Sequence, residues 1–156
     1  MKALIQRVKQ AQVDVEGVTV GQINHGILAL IGVERDDTVE KAEQLLHKIC
    51  RYRIFSDAAG KMNLSLNDTQ GELLLVSQFT LVADTQKGNR PGFSRGATPE
   101  HGEQIFNDMV KLAENTGLTI QTGQFGANMQ VSLINDGPVT FWLETKQPSS
   151  MSLQSI

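Results

Sequence analysis

Leu4, Val8, Val13, Val15, Val18 and Val20 recur on or near a two-residue period that breaks at Gly17, and such alternation predicts strands with one face turned inward. Ile27-Leu28-Ala29-Leu30-Ile31-Gly32-Val33 contains no polar residue; a short unbroken apolar run suits a strand buried on both faces. The period then lengthens. Val39, Ala42, Leu45, Leu46, Ile49 and Cys50 fall on one face of a helical repeat, which predicts an amphipathic helix of about four turns. Asp37 and Glu40 have the spacing of a capping box, with Asp37 as the expected cap.

Glu72 to Val82 reads as a second strongly apolar strand that turns polar at Ser77, Gln78 and Thr80. Thr85 to Thr98 holds Gly88, Pro91, Gly92 and Gly96 and reads as a long loop, a kind that is often functional in a small domain. Thr98-Pro99 opens a second helix with Ile105, Phe106, Met109, Val110 and Ala113 on its apolar face, and Asn115-Thr116-Gly117 stops it. Strands return at 118–122, 129–134 and 139–145, the last two joined by Asn135-Asp136-Gly137-Pro138 as a hairpin turn. The order predicts one α/β domain over residues 1–146, a mixed and largely antiparallel sheet in barrel-like layers with two main helices on one face. Residues 147–156 are polar, serine-rich and aperiodic, and are expected to form a disordered tail.

Composition narrows the function classes. With 156 residues the chain is long enough for one core and short for two, and 14 Lys and Arg against 17 Asp and Glu give a net charge of −3. That balance argues against a protein that holds nucleic acid by bulk positive charge. Locally the sign reverses: Thr85 to Pro99 contains Lys87, Arg90 and Arg95 and no acidic residue. The single cysteine excludes an internal disulfide and a cysteine-built zinc site. Charge returns early after Met1, so neither a signal peptide nor a membrane span is expected and the predicted location is the cytoplasm.

Gly92-Phe93-Ser94-Arg95-Gly96 matches the nucleophile elbow of serine esterases. An elbow needs a strand before the serine, a helix directly after, and an acid and then a histidine later in the chain. Here a loop precedes Ser94, and Glu100 is the only acid between it and His101, the only later histidine, so a chance match is the expected reading. His25, His47 and His101 lack metal-ligand spacing, and Cys50 completes a helix face. Two segments stay open. Gln78 and Thr80 either face solvent or line a pocket with the backbone amides beside them; Phe125-Gly126-Ala127-Asn128-Met129 is either a bend or a pocket wall.

Ser77-Gln78-Phe79-Thr80-Leu81, Phe125-Gly126-Ala127-Asn128-Met129-Gln130-Val131 and Asn135-Asp136-Gly137-Pro138-Val139-Thr140 together resemble the D-aminoacyl-tRNA deacylase (D-tyrosyl-tRNA deacylase) family. The likeness also takes in Arg7-Val8, Arg53-Ile54-Phe55 and Lys87-Gly88-Asn89-Arg90-Pro91, and runs from residue 1 to about 145. Asn89 stands where the family commonly carries a basic residue.

The resemblance implies a homodimer that hydrolyses the ester between a D-amino acid and the terminal adenosine of tRNA, a chiral proofreading step in translation. It implies that Gly137-Pro138, with Val139 and Thr140 beside it, is cis and enters the site of the other subunit, where it rejects L-residues. A filter that works only by excluding an L side chain should also admit glycine, including glycine mischarged on tRNA(Ala). Ser77, Gln78, Phe79 and Thr80 are the implied catalytic segment: amides around Phe79 and Thr80 meet the oxyanion and the 2′-hydroxyl of the substrate assists. Nucleophilic attack by Thr80 is the less favoured route, and Thr80→Ala separates the two because a nucleophile cannot be removed without abolishing turnover. Phe125, Ala127 and Met129 are the implied pocket residues, and Lys87, Arg90, Arg95 and Arg7 the expected tRNA contacts. No cofactor, metal, DNA or membrane partner is expected. The competing classes are a serine esterase using Ser94 and an RNA or aminoacyl-adenosine binder without turnover.

Overall fold

The computed structural model describes residues 1–145. Its elements follow in the order β1 (Lys2–Val15), β2 (Val18–Ile23), β3 (Gly26–Gly32), α1 (Val39–Arg51), β4 (Phe55–Ser56), β5 (Met62–Leu64), α2 (Leu66–Thr69), β6 (Glu72–Ser77), α3 (Pro99–Glu114), β7 (Thr119–Thr122) and β8 (Gln130–Glu144). β1 organises the sheet. It pairs antiparallel with β3 along its first half, with β2 along its second, and with β8 along both, while β3, β6 and β7 continue as parallel neighbours.

The unbroken apolar runs are explained by two cores, one on each face of the sheet. In β3 and β6, Ile27, Ala29, Ile31, Leu73 and Leu75 face α1 and α3, whereas Leu28, Leu74 and Val76 face a second cluster with Val8, Ala11, Val13 and Ile23. β1 serves both cores in turn. Ala3 and Ile5 look toward the helices and Val8 looks away; Lys9 is an extra residue in the β1–β8 ladder, which keeps Ala11 and Val13 on the face of Val8. The sheet curls until β2 meets β7 in a nearly closed barrel. A Cβ on Gly21 would lie 2.3 Å from the Thr122 carbonyl oxygen, so only glycine fits that approach.

α1 forms where its period places it, but its cap is Thr38, whose side chain accepts from the Lys41 amide, and Val39 is exposed. Asp37, the expected cap, has another task. It is 3% exposed and binds the Met1 ammonium at 3.0 Å, the Glu34 amide at 2.6 Å and, less closely, Lys41 at 3.7 Å. Its own carbonyl meets the His101 ring at 2.8 Å, so one residue ties the chain start, the β3–α1 loop and α3 together. Removing one member of a buried ion pair strands the other charge. Asp37→Ala should therefore lower stability by about 3 kcal/mol, read as a shift in the denaturant midpoint at unchanged slope.

α3 starts as the sequence predicts, with Pro99 first and the Thr98 side chain accepting from the His101 amide. The sequence reading did not assign the short hairpin β4–β5 or α2, a single turn closed by a reciprocal Ser65–Asp68 capping box. Two assignments need correction. β6 ends at Ser77, and Phe79–Val82 is a 3₁₀ turn, because Val82 is buried where the turn folds back over Gly32 of β3. Residues 135–138 are no hairpin: both halves of β8 pair with β1, so they belong to a bulge in one continuous strand. Residue 146 and the predicted tail at 147–156 lie outside the described residues.

Candidate functional site

β3 and β6 run parallel and end together, which opens a crevice at their carboxyl ends, the usual ligand position in such sheets. The turn after β6 shapes it. The Gln78 amide still reaches the Ile31 carbonyl at 2.7 Å, and the Leu81 amide turns back to the Gln78 carbonyl at 3.2 Å. No side chain caps this turn, so the Phe79 and Thr80 amides find no acceptor within it.

A cavity of about 290 Å³ lies against this turn, walled by Ile31 and Val33, by Ser77 to Phe79, by Ala97 to Pro99 with Gly102, and by Phe125 and Gly126. None of these residues carries a titratable side chain. Backbone amides, hydroxyls and the Gln78 amide group are the polar chemistry available there. The Thr80 hydroxyl is exposed and accepts a short hydrogen bond from Gln78 Nε2.

The bulge in β8 is a second built feature. Between the pairs Gln6↔Thr140 and Val8↔Asn135, β1 advances two residues and β8 five, so a loop rises from the ladder. Asn135 holds its base: Oδ1 accepts from the Val139 amide at 2.7 Å, and Nδ2 donates to the Val139 carbonyl at 3.3 Å and to Thr140 Oγ1 at 2.9 Å. Arg7 braces it from β1, its Nε donating to the Asp136 carbonyl at 2.8 Å and its Nη1 to the Ile54 carbonyl at 2.7 Å. Gly137 and Pro138 are exposed at the tip and the peptide between them is cis, whereas Val139 is 6% exposed and belongs to the main core. Neither tip residue lines the cavity of its own chain.

The predicted residues thus fall into groups. Ser77, Gln78, Phe79 and Phe125 meet at the cavity, with Thr80 one residue beyond. Ala127 is half-buried outside the lining, and Met129 packs into the second core, where a Cβ on Gly123 would lie 2.8 Å from its sulfur. Lys87, Arg90 and Arg95 are exposed along the loop before α3. Arg7 stands apart from them, its guanidinium joining the bulge at Asp136 to the Ile54 carbonyl. The sequence reading missed Ala97, Thr98, Pro99 and Gly102 as cavity wall. A glycine inside a helix disfavours the helix by about 1 kcal/mol, and Gly102 was the signal that could have found them.

Other candidates lose their chemistry. Ser94 is exposed in a loop with no strand before it and no helix directly after, and His101 is held by the Asp37 carbonyl. Burial pushes the Cys50 thiol up to about 11, which keeps it protonated and unreactive. Among the described residues, no three or more His, Cys, Asp or Glu side chains gather to hold a metal, and no helix is long and apolar enough to cross a membrane.

Known proteins resemble the chain over nearly all of its described length. The family model described as D-Tyr-tRNA(Tyr) deacylase matches residues 4–144. The D-aminoacyl-tRNA deacylase of Proteus mirabilis (strain HI4320) is 61% identical over 144 residues, covering 92% of this chain and 99% of that protein. The one from Haemophilus influenzae (strain ATCC 51907 / DSM 11121 / KW20 / Rd) is 59% identical with the same coverage. A solved structure described as c-Myc DNA Unwinding Element Binding Protein superposes with a TM-score of 0.89 at 40% identity, covering 94% of this chain and 100% of its own. A probable eukaryotic D-amino acid tRNA deacylase shares the fold at a TM-score of 0.76 and 16% identity, over 91% of this chain and 97% of its own. Its relatives make the chain a hydrolase of aminoacyl-tRNA ester bonds, carried on a nearly closed barrel. The chain belongs to the D-Tyr-tRNA(Tyr) deacylase family, and its activity is that of a D-aminoacyl-tRNA deacylase.

Proposed function

We propose that two copies of the chain act together, the cavity of one taking the aminoacyl end of tRNA and the Gly137–Pro138 tip of the other closing over it. The observation that carries this reading is their separation within one chain. The tip is exposed, braced by Asn135 and Arg7, and absent from the wall of its own cavity. A second copy brings the two parts onto one substrate. A wall of main chain and proline ring leaves no room for an L side chain, whereas a D-residue points its side chain elsewhere and glycine has none. Glycyl-tRNA, including glycine mischarged on tRNA(Ala), therefore passes the same filter.

For the chemical step, the Phe79 and Thr80 amides stabilise the oxyanion that develops at the ester carbonyl. The 2′-hydroxyl of the terminal ribose assists from the substrate side. Thr80 orients rather than attacks, because its hydroxyl faces the Gln78 amide group and a threonine nucleophile needs a base. Lys87, Arg90 and Arg95 meet the tRNA phosphates.

Incubation with matched D-, L- and glycyl-tRNA, following amino-acid release, tests the filter. D-amino acid and glycine should be released while the L-ester persists, and sedimentation should give a dimer. Equal rates for D and L, or a monomer with full selectivity, would sink the reading.

A further inference from the structure

Phe79 and Phe93 are the two most exposed phenylalanine side chains of the described residues, 68% and 47% accessible, yet they are not scattered. Their ring centroids lie 5.4 Å apart at 48°, so they form one aromatic surface. Phe79 is shared with the cavity wall, which places that surface at the mouth. Phe93 belongs to the loop that carries Lys87, Arg90 and Arg95. Among the described residues, none of these three cations is in a salt bridge. Aromatic rings interleaved with free cations are how proteins grip single-stranded nucleic acid: bases stack on the rings and phosphates meet the charges.

We infer that the Phe79–Phe93 pair is a stacking platform for a nucleobase of the single-stranded 3′ end of tRNA, the one next to the terminal adenosine. The inference rests on the proposed seating of the aminoacyl end in the cavity. With that end inside, the strand leaves past Phe79, and the penultimate base is the first to reach the pair. Its flanking phosphates then face the cationic loop, whose charge complements them. The platform distinguishes a whole tRNA end from a bare aminoacyl-nucleoside and so gives affinity without touching the ester.

The test uses Phe93→Ala in the full chain, with Phe93→Tyr as the conservative variant. Binding is read by fluorescence anisotropy on a short RNA with the tRNA 3′-terminal sequence, and turnover on D-aminoacyl-tRNA and on D-aminoacyl-adenosine. Phe93→Ala should weaken RNA binding and raise KM for the tRNA by roughly tenfold to a hundredfold. It should leave kcat on the tRNA, and all turnover of the aminoacyl-adenosine, within about twofold, and Phe93→Tyr should restore binding. An RNA lacking only its penultimate base should bind the wild-type chain as poorly as intact RNA binds Phe93→Ala, with no further loss when the two changes are combined. Unchanged RNA binding, an equal loss on aminoacyl-adenosine, or dissociation of the copies by Phe93→Ala would overturn the platform. Base-dependent RNA binding by the wild-type chain, together with undiminished turnover in the cavity-filling variant Gly102→Leu, would instead support the platform and sink the proposed seating of the ester.

Discussion

Gly102→Leu should extinguish deacylation while the protein stays folded. Gly102 is buried in the first turns of α3, and a Cβ there would meet Phe125 Cζ at 3.5 Å and the Ala97 Cβ at 3.8 Å, both ordinary contacts. A methyl is therefore accommodated, and Gly102→Ala should raise stability by up to about 1 kcal/mol through helix propensity. A leucine side chain continues past that point into the space between Phe125 and Ser77 to Phe79. Displacing a substrate by about 1 Å from its reacting position already costs on the order of a hundredfold, and filling the cavity displaces it further. Gly102→Leu should thus lose at least that factor in kcat/KM on D-aminoacyl-tRNA, with thermal unfolding near that of the parent. Wild-type turnover by a folded Gly102→Leu protein would show that the ester is cleaved elsewhere.

The second large effect concerns selectivity rather than rate. Gly137 has φ +154°, and a Cβ at this position would lie 2.6 Å from Val139 Cγ2 and 2.7 Å from the Val139 amide nitrogen. Val139 is fixed in the core and its amide is fixed by Asn135, so the tip itself must move in Gly137→Ala. The strain is of order 1–3 kcal/mol, enough to repopulate the loop. The ratio of D- to L-aminoacyl-tRNA hydrolysis should fall at least about tenfold, with L-ester cleavage rising from its floor. Asn135→Ala should act in the same direction, since it leaves the Val139 amide without its acceptor. An unchanged ratio in both variants would remove the tip from chiral selection.

How much of this was legible beforehand depended on whether short-range pattern and tertiary context agreed. β3 and α1 were readable because a two-sided apolar run and a 3.6-residue period each have one stable use, and burial followed the pattern closely. Asp37 misled because capping boxes are judged on spacing, whereas a buried ammonium 36 residues away claimed its carboxylate and left the cap to Thr38. Asp136-Gly137 misled for a related reason. It carries a hairpin signal, but β1 is long enough to pair with both flanks, and the turn chemistry made a bulge instead. At the site, Ser77, Gln78 and Thr80 could be singled out as polar residues interrupting an apolar strand. Ala97, Thr98 and Pro99 could not, because their role arises only when α3 is laid across the end of β6, and a glycine inside that helix, Gly102, was the one hint.

The β8 bulge works as a depth gauge. Its two feet are fixed pairs, Gln6↔Thr140 and Val8↔Asn135, on the rigid rail of β1. Its reach depends only on the number of residues between those feet, each residue added or removed changing the contour by at most about 3.3–3.6 Å. Insertions there alter how far the tip projects without moving the register of either half of the ladder. In the proposed pairing of two copies, single-residue changes in length would retune the clearance over a substrate and leave both hydrophobic cores and the cavity floor untouched.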